Sequence, residues 1–289
     1  MSIAAALLAG IDDRFVILLI NLYNCCMKTI LFVSGLLLLI ATEILKVYFI
    51  MPFPHMQMVH TLGFSYFINM HLWWFRIAGF AIIVYPAAEF LRNSNRLKKG
   101  LLVGVLVMYA VVAYLCNFKF TANRIFYEVK QIGFTNASEG MKDYNKLVIG
   151  VVNNGEVKAY PVYIVAYHHQ LKDIVGGMPV LITYCSICRT GRVYSPLING
   201  KYDSFKLVGI NNSNAIFEDE ATKSWWQQAS GKAITGELKD AQLNEVPSQV
   251  MFMSQWLQIH PNSRVMKPDN NYLQQYSDFS TGNFKIFSP

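Results

Sequence analysis

Cys185-Ser-Ile-Cys188 follows directly on the apolar run 180–184, and a histidine pair, His168-His169, lies a short way upstream. Two thiols with two residues between them admit three kinds of chemistry. As thiolates they ligate a transition metal, with an imidazole as a further ligand. As a dithiol they exchange with other disulfides, because the small ring such a pair closes is strained and reactive. As small buried hydrophobes they only brace the fold. Metal binding is the leading expectation, copper first and zinc second, in envelope metal handling or redox chemistry. Its ligands are Cys185, Cys188 and His169, with His168 as an orienting neighbour or alternative ligand, since a metal-bound imidazole needs a partner on its other nitrogen. Thiol-disulfide exchange through Cys185 and Cys188 is the alternative.

A second polar cluster surrounds Trp225-Trp226. Asp219, Thr222, Ser224, Trp226 and Gln228 combine short hydrogen-bonding groups with an aromatic ring, the composition of a cavity wall that holds a cofactor or small ligand. A membrane-tethered module that binds a small ligand or peptide there, with the cysteines as braces, is the non-catalytic reading. Two enzyme classes are disfavoured. A zinc deaminase needs a Glu two residues after its first His and a Pro before the Cys pair, where this chain has Gln170 and Tyr184. A serine hydrolase built on Ser224 lacks the glycine-flanked elbow that exposes such a nucleophile.

The elements that must position these residues are short strands. Residues 147–152 and 156–160 flank Asn153-Asn154-Gly155, and Asn-Gly supplies the positive φ that a tight hairpin turn requires. Pro161 opens a short helix over 161–170 that carries both histidines near its end. Runs at 180–184, 192–194, 205–210 and 215–218 read as strands, 223–228 more weakly so, and 251–259 reads as a helix. Residues from 262 on are polar and aperiodic and are expected to wrap the surface. Together these describe a mainly β, α+β domain over 121–289.

The rest of the chain belongs to lipid. Of 289 residues 53% are hydrophobic, and the mean hydropathy is +0.28, too apolar for an ordinary soluble pair of domains. Three α-helical transmembrane segments are expected at 29–50, 72–91 and 101–118, within a membrane region of 27–120. In the first, Glu43 and Lys46 stand one helical step apart and are placed to pair. Residues 1–26 read as an extension, with Met27 as the expected translation start. The formal charge of +7 is not a nucleic-acid signal: residues 1–120 hold 9 Lys/Arg against 4 Asp/Glu, and 121–289 hold 16 against 14. The basic excess lies among the membrane segments, and no basic stripe interleaved with aromatics appears. Four of those charges, Arg92, Arg96, Lys98 and Lys99, sit in one connection, whereas 51–71 has no Lys or Arg. The positive-inside rule then makes the chain an integral protein of the cell (inner) membrane, with 51–71 and the C-terminal domain outside the cytoplasm. The partners expected are the bilayer and a metal ion or small ligand. The external stretch MPFPHMQMVH collects thioethers and imidazoles and reads as an interfacial loop, with copper collection as the functional alternative.

The ordered motifs of 155–261 resemble the DUF3179 family, a domain of unknown function. They are Ala159-Tyr160-Pro161, His168-His169, Gly176-Gly177 with Pro179, Tyr184-Cys185 with Cys188, and Thr190-Gly191. After these come Asp219, Thr222, Ser224, Trp226 and Gln228 in fixed spacing, then Gly231, Gly236, Trp256 and His260-Pro261. The resemblance implies an architecture and the place of a site, and no reaction. Two positions depart from the pattern. Arg189 stands where the family usually has Gly, and Gln170 stands where Glu is common.

Overall fold

The computed structural model describes residues 13–51, 61–122, 127–129, 132–137, 145–186, 188–212 and 214–280. The expectations for the first residues of the extension and for His55, Met56, Met58 and His60 lie outside these. The chain divides into two units, one made of everything up to Lys46 together with Phe67–Phe118, the other of Val47–Tyr66 together with everything from Lys119.

The first unit is helical. Helix α1 (Asp13–Tyr48) runs unbroken through residue 26, where the sequence suggests a boundary. It is followed by α2 (Leu62–Met70), whose residues 62–66 count with the second unit, by α3 (Leu72–Asn93) and by α4 (Arg96–Tyr114), and a π-turn over Leu115–Lys119 extends the last. Three segments, Cys26–Tyr48, Leu72–Asn93 and Arg96–Lys119, are long and apolar enough to cross a membrane. The third begins earlier than hydropathy alone suggests because Asn95 caps it, its side chain accepting the Lys98 N–H at 3.0 Å. Helices α1 and α3 approach closely where neither carries a side chain. A Cβ on Gly35 would lie 2.5 Å from Ile83, and one on Gly79 2.6 Å from Leu39. Glu43 and Lys46 pair at 2.8 Å, as their spacing requires.

The second unit is mainly β. Its five-stranded sheet has the order β1-β14-β3-β2-β13, from Phe134–Asn136, Arg264–Met266, Glu156–Pro161, Leu147–Asn153 and Ser248–Phe252. The expected hairpin is present: Asn153 pairs with Glu156 across Asn154 and Gly155, whose φ values of 45° and 79° are those the turn demands. Alternation along β2 and β3 sorts the core. Ile149, Val151 and Tyr160 face one side with Ile164 and Val165, while Val148, Ala159 and Val265 face the other with Met253 and Trp256. Gly150 clears the space Trp256 needs, since a Cβ there would lie 2.2 Å from the indole ring.

Two expectations are corrected here. Residues 251–259 are not one helix. Strand β13 claims residues through Phe252 by pairing with β2, and the helix α6 (Met253–Ile259) starts only after it. Nor does the tail only wrap the surface. Strand β14 lies between β1 and β3, and Tyr272 and Tyr276, the latter on α7 (Leu273–Ser280), enter the main core. A three-residue strand is too short to show a period, so its place is set by partners remote in sequence.

A three-stranded sheet, β4-β5-β6 (Gln170–Val175, Met178–Cys185, Thr190–Tyr194), puts the motif-bearing strand in the middle. A four-stranded sheet has the order β12-β11-β10-β9 (Ala233–Thr235, Trp225–Gln227, Asn214–Asp219, Phe205–Asn211), and a small hairpin, β7-β8 (Leu197–Ile198, Lys201–Tyr202), completes the set. The segment after α1 packs on this four-stranded sheet. Ile50 accepts the Ile210 N–H at 2.7 Å, and Tyr66 meets the Trp225 ring edge-on at 5.1 Å.

Candidate functional site

Strand β5 is buried throughout from Val180 to Cys185, with Thr183 as a buried hydroxyl in an otherwise apolar run, and it ends at the thiol motif. Strands β5 and β6 are antiparallel neighbours, and Cys185 pairs with Thr190 at the end where the chain turns from one to the other. Arg189 takes φ 52° in this turn, the left-handed region in which a Cβ is disfavoured. That is the physical reason for glycine in the pattern the chain resembles; Arg189 accepts the strain and presents an exposed guanidinium beside the motif.

The two thiols differ in access. Cys185 is 2% exposed, Cys188 is exposed, and they are not bonded to each other. The Cys188 backbone N–H donates to the Cys185 sulfur at 3.2 Å, so the motif turn folds back on its first cysteine. Asn214 Nδ2 donates to the Cys188 sulfur at 3.6 Å and to Gln228 Oε1 at 2.9 Å. Gln228 Nε2 then donates to Thr183 Oγ1 at 2.9 Å, whose hydroxyl donates to the Arg192 carbonyl at 2.9 Å. A buried polar chain thus runs from the exposed sulfur into the sheet, and each side-chain amide in it is fixed by its partners. Of the residues expected in a pocket wall, Gln228 alone is here. Asn214 and Thr183 escaped the sequence reading. Asn214 hides in an Asn-rich stretch that reads as a turn, whereas Thr183, a hydroxyl inside an apolar strand, was a visible signal.

The histidines sit where α5 (Val162–His168) meets β4, and they behave differently. His169 ends the helix at φ 62°, its N–H bonded to the Val165 carbonyl at 2.7 Å, and its own carbonyl accepts the Tyr184 N–H at 3.3 Å. Burial pushes its imidazole down to about 4, reinforced by the charge of His168 and opposed by a backbone hydrogen bond at Tyr184. His168 is fully engaged: Nδ1 meets the Tyr127 carbonyl, and Nε2 lies 2.6 Å from the Tyr276 hydroxyl. A carbonyl only accepts, so Nδ1 carries the proton and Nε2 accepts from Tyr276. Burial accordingly lowers the pKa of His168, against the Tyr127 hydrogen bond. Tyrosines 127, 167, 272 and 276 surround the ring. Among the described residues no group of three or more His, Cys, Asp or Glu side chains is gathered closely enough to hold a metal.

Asp219, Thr222, Ser224 and Trp226 form a separate cluster. The Asp219 carboxylate accepts from the Thr222 N–H at 2.6 Å, the Thr222 hydroxyl at 2.8 and 2.9 Å, and Trp226 Nε1 at 2.8 Å. Ser224 Oγ lies 2.8 Å from the Thr222 hydroxyl and accepts the Leu238 N–H at 2.9 Å. These groups satisfy one another and clasp the connection between β10 and β11. Gln170, the second departure from the family pattern, is buried and donates to the Phe205 carbonyl at 3.2 Å, a bond an ionised Glu could not make.

A family model described as a protein of unknown function (DUF3179) matches residues 128–285, more than half the chain. Neither the curated proteins nor the solved structures contain a match to the chain.

Proposed function

From a chain that belongs to the DUF3179 family and sets an exposed thiol one turn from a buried one, we propose a membrane-anchored dithiol-disulfide exchanger. The observation that carries this is the difference in access between Cys188 and Cys185. Exchange needs one sulfur that a partner can reach and a second held back to complete the reaction. In the reducing direction the Cys188 thiolate attacks a disulfide sulfur of a partner protein, forming a mixed disulfide and releasing the partner's other sulfur as a thiolate. The Cys185 thiolate then attacks the Cys188 sulfur and the partner's second sulfur leaves. The products are a Cys185–Cys188 disulfide and a dithiol in the partner, two electrons having passed to it; the reverse sequence oxidises a partner dithiol. The N–H of Cys188 aimed at the Cys185 sulfur stabilises negative charge there, and Asn214 orients Cys188.

A location of the β unit outside the cytoplasm, where disulfides form and persist, is part of this proposal; it is supported by three segments long and apolar enough to cross a bilayer and by the positive-inside rule applied to the basic residues of 92–99.

Metal binding is the second reading, favoured by the placement of both sulfurs in one turn. Among the described residues neither His169 nor any other His, Cys, Asp or Glu is gathered with the two sulfurs as a third ligand, so the donor set is two thiolates, which suits monovalent copper better than a four-coordinate zinc. One experiment separates the two. Reduced Cys185→Ser protein, offered a disulfide-bonded peptide, is expected to accumulate a mixed disulfide at Cys188, and Cys188→Ser is not. If neither variant traps a partner while wild type takes up one monovalent copper against a competing chelator, the exchange reading fails and the metal reading replaces it.

A further inference from the structure

Glu43, Lys46, Arg76 and Asn117 form one hydrogen-bonded cluster within the helical unit. The carboxylate of Glu43, fully buried, accepts Arg76 Nε at 2.7 Å and Nη2 at 2.6 Å on one oxygen. Its other oxygen accepts Lys46 Nζ at 2.8 Å and Asn117 Nδ2 at 2.9 Å. Asn117 stands in the π-turn at the end of α4, and its Oδ1 accepts Lys46 Nζ at 2.5 Å and Arg76 Nη2 at 3.0 Å. π-Turns of this kind recur at functional sites.

The cluster contains two cations and one carboxylate, a net charge of +1. Nothing nearby in sequence compensates it: there is no Asp or Glu from 44 to 88 or from 90 to 127, and Glu89 is paired with Lys28 at 2.5 Å. An uncompensated charge between membrane helices is costly, and such residues mark places where a counter-ion or substrate is held. The depth is also defined. Glu43 and Lys46 lie near the Tyr48 end of the first span, Arg76 near the Leu72 end of the second, and Asn117 near the Lys119 end of the third, so all four sit at one boundary. Trp73 and Trp74, each 71% exposed, stand beside Arg76, and exposed tryptophans on spanning helices sit at headgroup level. The Arg76 guanidinium lies 5.1 Å over the Trp73 ring, and its bonds to Glu43 and Asn117 use Nε and Nη2, leaving the Nη1 group. It therefore reaches from the buried carboxylate to the aromatic belt, with donor capacity of the kind that recognises phosphate.

We propose that Arg76 and Lys46, held by Glu43 and Asn117, bind the phosphate of an anionic phospholipid headgroup at that boundary, so that the membrane helices carry a lipid site of their own. This rests on the three segments crossing the bilayer and is independent of the thiol chemistry.

The test uses the full chain in mild detergent, with native mass spectrometry reading retained lipid. Wild type is expected to keep phosphatidylglycerol in preference to phosphatidylcholine. Arg76→Gln, which keeps a hydrogen bond to Glu43 but removes the excess charge, should lower that retention about fivefold, and Arg76→Lys should fall between. Should Arg76→Gln fail to fold, wild type alone decides: phosphatidylglycerol must raise the melting temperature of the helices more than phosphatidylcholine does. Equal retention of, or equal protection by, the two lipids overturns the proposal, as does displacement of phosphatidylglycerol by inorganic phosphate, which would mark a soluble anion as the occupant. Release of the chain from membranes by alkaline carbonate would overturn the spanning itself; retention with equal lipid binding would overturn the lipid site alone.

Discussion

The backbone N–H of Cys188 points at the sulfur of Cys185 at 3.2 Å, while the side chain of Cys188 faces solvent. One turn thus presents one sulfur and shelters the other. In reduced, folded protein a maleimide should label Cys188 much faster than Cys185, and the two rates should converge in denaturant. Peptide mapping after timed labelling measures this. Equal native rates would remove the asymmetry on which the exchange reading stands.

The neutral histidines predict a direction for stability against pH. His169 titrates at about 4 in the folded chain and His168 is lowered as well, both chiefly by burial, whereas an unfolded imidazole titrates near 6.5. The unfolded state therefore binds protons first as pH falls. This contribution is whole above about pH 6.5 and is lost progressively as pH drops from there toward about 4. For His169 alone it amounts to roughly 3 kcal/mol. Urea midpoints of the β unit between pH 7 and 4 should fall accordingly, and a flat profile would contradict the buried neutral rings.

Tyr276→Phe removes the hydroxyl that donates to His168 Nε2 and leaves a buried acceptor alone. A loss of about 1–3 kcal/mol is expected. Chemical denaturation of the wild-type and variant chains measures it, and an effect near zero would mean that the tail does not hold the histidine.

Asp219→Ala breaks the clasp on Thr222 and Trp226. It should cost about 3 kcal/mol, since the remaining donors are left buried, yet leave the alkylation rate of Cys188 unchanged. A large change in that rate with stability preserved would instead make Asp219 part of the reactive site.

Gly150→Ala places a methyl group 2.2 Å from the Trp256 ring. Overpacking of this kind costs about 1–3 kcal/mol, and near-ultraviolet circular dichroism of the tryptophans should report the displaced indole.

What was legible in the sequence was local. Asn154-Gly155 specifies its hairpin through backbone conformation, Cys185-x-x-Cys188 announces a turn at the end of a buried strand, and the spacing of Glu43 and Lys46 brings them together on one helix face. The partners of these groups were not legible. His168 depends on Tyr276, 108 residues away, and Glu43 on Arg76 and Asn117 in other helices. No periodicity carries such pairings, because each is settled by tertiary packing. Asp219, Thr222, Ser224 and Trp226 show a related limit: polar residues dense enough to suggest a pocket also suffice to bond one another.

Strand β14 pairs with β1 on one side and β3 on the other. Until residue 266 has been synthesised, the largest sheet lacks the ribbon that joins its first strand to the rest, and both flanking strands keep open hydrogen-bonding rows. Completion of this sheet is therefore a late event in the life of the nascent chain. A polypeptide cut short just before that point would leave two raw edges free to recruit other extended segments.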